Sequence, residues 1–427
     1  MRRPRAGIAL FLALGFLLGP IGINLHAEEE AVPETPSLAA ELAAYIHSRQ
    51  NPSTGLPVSF FGSGDALLEN ITFTYDAALA SLVMAHAGDS ASAEKTLGFF
   101  RQSPLPAPDT YDFNTTYNAG QGHPSLEYRV HGGPIFWMVI AMLREAEATG
   151  QPDLQARALQ LLDWARTTLP HSDGGIAMSQ RDSLSGIFST ENVWVYYAAL
   201  RIAAQQLPDG EERRSLDEER HRVRAWLGRI GTNRGFRLPD FVDPVQALDV
   251  YTHPLLVGPE SHLEDGAFGS PGALSVWAKA HIEELETRFK VPDSSLYDYT
   301  DEVEAKAIGR SRAGWLEGTE QVVVAYRTWA DWFAGQGDSE YAGYLNALAN
   351  ASHAAVKHFK LTYADGAAIP NTDAPIAFWT FQDGWRARPS TEPALNGTTW
   401  TYFGEVGYNP FVMPLSHRAA HQDTQDL

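Results

Sequence analysis

Two kinds of helix take turns along this chain, and their order restricts the fold more than any other feature. One kind is apolar almost all round: Thr74-Tyr75-Asp76 running on to Met84, then 134–143, 193–200 and 321–326. A helix without a polar face has to be surrounded by protein. The other kind, at 91–101, 154–168, 218–230 and 341–359, carries Lys, Arg, Glu and Gln along one side. Such a helix lies outside with that side in water. The periodicity predicts inner helices at about 73–87, 133–148, 190–206, 243–257, 318–334 and 397–408. Outer helices are expected at about 37–50, 91–101, 152–169, 217–230, 271–289 and 339–360. Six of each in alternation is what a double ring of helices produces. An open helical solenoid is the main competitor, but the spacing is irregular and no short repeat appears.

Long stretches rich in Gly, Asp, Asn, Tyr and Trp lead into the inner helices, at 51–70, 109–133, 171–190, 231–241, 297–317 and 363–396. Loops beyond about 12–15 residues in a compact domain usually carry function. In a ring they gather at one end and build a cleft.

Composition removes several functions. Hydrophobic residues make up 44% and charged residues 20%, so the chain is globular and not a disordered acidic polymer. The net charge of -20, with no Lys/Arg-rich block after the first residues, excludes nucleic acid as a partner. The absence of cysteine removes disulfides, zinc-thiolate sites and thiol nucleophiles. The 11 Trp, 16 Tyr and 20 Phe serve a large core or a sugar-stacking cleft equally well.

The amino terminus has the form of an address. Arg2, Arg3 and Arg5 precede an apolar run from Gly7 to Ile23, and Ala27 comes just before three glutamates. This is the layout of a secretory signal peptide, residues 1–27. Residues 28–36 read as a flexible acidic lead-in, 37–412 as a single domain and 413–427 as a polar tail. A periplasmic or secreted monomer, with no stable membrane anchor after cleavage, is the expectation.

Several phrases carry a family resemblance. Gly55-Leu56-Pro57-Val58-Ser59, Thr74-Tyr75-Asp76-Ala77-Ala78-Leu79-Ala80, Ser189-Thr190-Glu191-Asn192 and Trp315-Leu316-Glu317-Gly318-Thr319 are similar to those of bacterial six-hairpin glycosidase-like proteins. The ending Thr399-Trp400-Thr401-Tyr402-Phe403 through Gly407-Tyr408-Asn409-Pro410-Phe411 fits as well. The resemblance covers nearly the whole mature chain. It implies an all-α (α/α)6 toroid, a fold shared by glycosidases, polysaccharide lyases and sugar epimerases.

Glycoside hydrolysis usually needs two carboxyl groups, one to protonate the leaving oxygen and one to attack the sugar or activate water. Acids at the start of apolar helices are therefore the candidates. Asp76 follows Tyr75 in a helix with almost no other charge; a capping or dipole-pairing role is the plainer alternative. Glu191 follows Ser189 and Thr190, which can cap the helix, and packing against Trp194 would raise its pKa as a general acid requires. Glu317, between Trp315 and Gly318, is the second carboxylate in competition with Asp76. Glu320 is read as neutralising a helix start. Asp112, Glu127, Asp173 and Asp365 are weaker candidates, the last two being good turn formers.

Tyr75, Tyr128, Asn192, Trp194, Trp315, Trp379 and Trp400 are the expected substrate contacts; Trp137 is more naturally core. His123, His131, His171 and His253 matter for the rival chemistries, since a lyase wants a Tyr or His base and an epimerase a His pair. No metal-binding spacing, nucleophile elbow or phosphate-cradling loop is present, and no cofactor is expected. Asn70, Asn114, Asn350 and Asn396 fit the glycosylation pattern. The expectation is a glycoside hydrolase-like enzyme acting on a neutral oligo- or polysaccharide. A lyase or epimerase on the same fold, or a non-catalytic glycan-binding protein, is the alternative.

Overall fold

The computed structural model describes residues 36–62, 68–107, 110, 112–181, 184–237, 241–243, 246–307, 309–373 and 392–414. The expected export signal, most of the acidic lead-in, most of the polar tail, and Trp379 lie outside the described residues. Ser37–Leu427 form one compact unit.

The helices are α1 (Leu38–Ser48), α2 (Thr74–His86), α3 (Ser90–Gln102), α4 (Gly132–Thr149), α5 (Pro152–Thr168), α6 (Thr190–Gln206) and α7 (Glu211–Ile230). They continue with α8 (Leu248–Leu256), α9 (Gly258–Glu264), α10 (Pro271–Phe289), α11 (Glu302–Ala307), α12 (Leu316–Gly335), α13 (Ser339–Lys357) and α14 (Leu395–Val406). Helices α2, α4, α6, α8, α12 and α14 form the inner ring. Each touches the next, and α14 returns to α2. Helices α1, α3, α5, α7, α10 and α13 pack outside, each against its hairpin partner. The fold is an (α/α)6 toroid, and the alternation of buried and amphipathic helices is its cause. Ala77 to Met84 of α2 and Ile135 to Leu143 of α4 are buried without interruption.

The two rings solve their amino-terminal backbone problem differently. A helix leaves its first amides without intrahelical partners. Among the outer helices, Ser37, Asp89, Ser270 and Asp338 supply side-chain caps for α1, α3, α10 and α13. None of the six inner helices has a side-chain cap. The expected Ser189/Thr190 cap of α6 is therefore not made; the Thr190 hydroxyl donates to the Asn233 carbonyl at 2.7 Å instead.

The inner ring instead passes its bonds round a circle. The first amide of each inner helix donates to a carbonyl in the loop that precedes the next one. The bonds run Thr74 to Thr115 (2.9 Å), Gly132 to Met178 (2.8 Å), Thr190 to Arg234 (3.0 Å), Leu248 to Tyr299 (2.7 Å) and Leu316 to Asn371 (3.0 Å). Leu395 to Ser59 (3.0 Å) closes the circle. Short antiparallel pairings reinforce the same joints, such as Ile71–Phe73 with Thr116–Asn118 and Ile187–Ser189 with Gly235–Arg237. The loop ends are thereby gathered at one rim.

The fourth hairpin departs from the pattern. Helix α8 has nine residues, where the other inner helices have 12 to 20. Pro254 inside it has no amide to continue the ladder, and the short α9 intervenes before α10. The expected helix at 243–257 starts later, at Leu248, because Ala247 is still extended and bridged to Thr300.

Candidate functional site

The circular bonding fixes the phase of every inner helix, and so brings one particular position of each to the axis. It is the second helical residue: Tyr75, Gly133, Glu191, Asp249, Glu317 and Asn396. Three of these six are acids, supplied by α6, α8 and α12, and Asp76 follows Tyr75.

Glu317 is buried and held at both oxygens. Tyr75 donates its hydroxyl to Oε1 at 2.6 Å, and Asn396 donates Nδ2 to Oε2 at 2.6 Å. Gln321 reaches Oε1 from the next turn at 3.5 Å. Tyr75 is in turn held by Trp400, whose Nε1 donates to its oxygen at 2.8 Å. Burial pushes the Glu317 pKa up to about 8; the Tyr75 bond opposes this, and the nearby charges of Asp76 and Asp249 add to it.

Glu191 and Asp249 form a second unit. The two carboxyl groups, brought together from α6 and α8, act on each other by charge and hydrogen bonding. Glu191 is held well above the carboxylate range, by burial first and then by the Asp249 charge and bond, with Glu317 adding to it. Asp249 is raised by burial, but the bond from Glu191 and the charge of Arg234 pull it back. Both members of the pair are thus held above the carboxylate range. Asp76 is pushed up to about 7 by burial, eased by a bond with Ser59.

Exposure separates the four acids. Asp76, Asp249 and Glu317 are 3–5% exposed, whereas Glu191 keeps a partly open surface. Among the described residues none of the four is in an ion pair with a Lys, Arg or His side chain, and no group of acids and histidines is arranged to hold a metal ion.

The expected contacts divide. Tyr75 stands against Glu317, and Asn192 crosses to α4. A Cβ at Gly133 would collide with the Asn192 amide, so any side chain there would displace it. Trp315 immediately precedes α12, packs edge-on to Tyr299 at 5.3 Å and covers Gly318. Tyr128 is 56% exposed on the loop before α4.

Two assignments are corrected. Trp400 is fully buried, so its ring cannot stack on a sugar; it acts behind Tyr75, packed against Trp137 at 5.8 Å. Trp194 turns outward, away from the axis, to Tyr197, His262 and Arg224. The elevated Glu191 pKa comes from burial and Asp249, not from Trp194.

His253 is no loop residue. It is buried in α8, pushed down to about 4 by burial, with Nδ1 against the Asp249 carbonyl at 2.9 Å. His123 is bonded to Gln121 on the surface. Asp173 and Asp365 are turn residues, the latter paired with Arg49 on the outer side. Glu320 does not neutralise a helix start; it bonds to His353 of α13.

Sequence reasoning missed Asp249 as an acid and read Asn396 only as a glycosylation site. A shared signal was present: each stands second in an inner helix, as Glu191 and Glu317 do.

With this geometry described, the likenesses to known proteins can be placed. No family model and no curated protein matches the sequence. Solved structures do match over nearly their full length. A sugar epimerase from a ruminal bacterium aligns over 87% of this chain and 97% of its own, at 12% identity and TM-score 0.60. A glycosidase variant in complex with glucose aligns over 86% and 96%, at 12% identity and TM-score 0.55. The GH76 alpha-mannanase of Bacteroides thetaiotaomicron aligns over 91% and 96%, at 10% identity and TM-score 0.58. The chain therefore has the six-hairpin glycosidase-like toroid fold. At these identities the likeness establishes the fold alone.

Proposed function

We propose that this chain is a carbohydrate-active enzyme, a glycoside hydrolase acting on a neutral oligo- or polysaccharide outside the cytoplasm. Glu191 is the proton donor and Glu317 the second carboxylate. The observation that carries the reading is the meeting of acids from three inner helices at the axis, none of them in an ion pair among the described residues.

The chemistry follows from the environment of each acid. Glu191, raised above the carboxylate range by burial and Asp249, is the acid that a substrate can reach. In its protonated form it turns the proton from Asp249 to the glycosidic oxygen and gives it up as the bond to the anomeric carbon breaks. Asp249 holds the carboxyl group in place until substrate arrives. Glu317, once ionised, takes a proton from the water that attacks the anomeric carbon. Tyr75 and Asn396 hold both Glu317 oxygens, so the carboxylate has one orientation. The partly exposed Tyr75 and Asn396 also offer polar groups to sugar hydroxyls.

The test is Glu191→Gln, assayed for new reducing ends across a panel of neutral polysaccharides. Turnover should fall about a thousandfold, within the range a positioned general acid contributes, with the thermal midpoint nearly unchanged. Retained turnover would remove Glu191 from the role. Interconversion of free sugars without new reducing ends would replace hydrolysis by epimerisation, and products absorbing in the ultraviolet would indicate a lyase.

A further inference from the structure

The broken fourth hairpin leaves room. Between inner helices α6 and α8 and outer helices α7 and α10 there is a cavity of about 500 Å³, on the opposite side of the inner ring from the acids. That is enough for one small organic molecule. Trp194, Trp277, Phe268, His262, His281 and Arg224 line it. Trp277 stacks on His281 at 4.9 Å and 25°, and Phe268 lies 5.2 Å from Trp277. The walls are flat and aromatic.

Arg224 and Asp265 are the charged groups of the lining, with His221 at the rim. Arg224 Nη2 donates to His262 Nδ1 at 3.3 Å, and Nε is buried without a partner. The tautomer follows: His262 Nε2 donates to the Pro254 carbonyl at 2.8 Å, so Nδ1 is the acceptor. Burial pushes the Arg224 pKa down, with the Tyr197 and Asp265 charges opposing, and the guanidinium lies 5.4 Å from the Trp194 ring centre. The acids nearby are engaged elsewhere: Asp265 by Arg220 at 3.0 Å and by the Tyr197 hydroxyl, Glu264 by Arg201 at 2.9 Å.

Neither buried histidine adds charge. Burial pushes His262 down to about 3 and lowers His281, whose Nε2 donates to the Tyr251 carbonyl at 2.9 Å. His221 at the rim is 53% exposed and lies 3.8 Å from Asp265. The pocket therefore presents the Arg224 cation, partly offset by the Asp265 carboxylate that Arg220 also engages, among aromatic faces. A phosphate dianion would carry more charge than the pocket can neutralise, and a neutral sugar would leave the guanidinium unanswered.

We infer that this cavity is a ligand site, separate from the axial acids, for a small planar aromatic monocarboxylate that lies between the Trp194 and Trp277 walls with its carboxylate on Arg224. The carboxylate supplies the acceptors the guanidinium lacks, and the ring replaces water against the aromatic walls. The site does not depend on what the axial acids do.

The probe is 2-naphthoate, added to the full chain and followed by tryptophan fluorescence and calorimetry. One molecule should bind per chain, with 2-naphthol at least tenfold weaker. Arg224→Leu should weaken naphthoate at least tenfold and leave carbohydrate turnover unchanged. Trp277→Leu, which keeps the cation and removes a wall, should weaken both probes. Glu191→Gln should bind naphthoate like the parent. No saturable binding to the parent overturns the inference, as does binding that is indifferent to both pocket substitutions. Binding that is lost in Glu191→Gln places the probe at the axis and overturns it equally.

Discussion

Glu317 and Glu320 are both buried, lie three residues apart on α12, and face different worlds. Burial raises both carboxyl groups. Glu317 turns to the axis, where neutral donors, Tyr75, Asn396 and Gln321, meet it. Glu320 turns to the packing between α13 and α14, where His353 Nδ1 lies 2.8 Å away and the other ring nitrogen lies 2.6 Å from Glu405. That imidazole is pushed up to about 9 by its two carboxylate partners against the effect of burial, and Glu405 is held down to about 2, chiefly by the bond to His353. Glu320 is thus matched by a cation, whereas among the described residues no Lys, Arg or His side chain pairs with Glu317. A buried carboxyl group without a counter-charge costs stability, and in a cleft lined by other acids it is a candidate for chemistry.

The contrast can be broken most severely at His353. Replacing it with Gln leaves Glu320 and Glu405 without their cation, and unfolding in urea at pH 6 should show a loss of about 3 kcal/mol. The His353 contribution is whole below its unfolded pKa of 6.5 and fades as pH climbs through about 9. That of Glu405 is whole above 4.5 and fades as pH falls through about 2. A variant as stable as its parent at pH 6 would mean that the triad is not what compensates Glu320.

Glu317→Gln should move stability the other way. Between pH 4.5 and about 8 the folded protein keeps a proton on Glu317 that the unfolded chain releases, so native stability falls as pH rises through that window. Removing the acid removes the decline. At pH 8 the variant should exceed its parent by about 2 kcal/mol in urea, while turnover collapses. Equal or lower stability would show that Glu317 is compensated by something other than Tyr75 and Asn396.

The smallest effect is expected at Tyr75→Phe, which deletes one donor to Glu317. The loss is about 1 kcal/mol, so the rising limb of the pH–rate profile, set by ionisation of Glu317, should move to higher pH by less than one unit. An unmoved limb would assign that ionisation to another acid.

Much of this architecture is legible in the residues, because a helix without a polar face has to be enclosed. Asp76, Glu191 and Glu317 were visible as lone charges at the starts of such helices. Asp249 was not, because a helix expected to begin at 243 puts Asp249 well inside it instead of at its second position. For the same reason that an all-round apolar helix is easy to find, its rotation is hard to read. Without a wet side there is nothing in the sequence to phase it, and neighbours in the ring decide which residue meets the axis. Trp400 and Trp194 were misassigned on that account. Both belong to inner helices, yet one lies beneath Tyr75 and the other looks outward. Asn396 was hidden by a tripeptide that also spells a glycosylation signal.

The bond from Leu395 to Ser59 bears on how the molecule comes into being. Glu317 takes its two closest donors from the first and the last inner helices, Tyr75 and Asn396. A ribosome therefore releases most of the polypeptide before these partners can meet, and a nascent chain that stops short of α14 has the acids but no finished cleft.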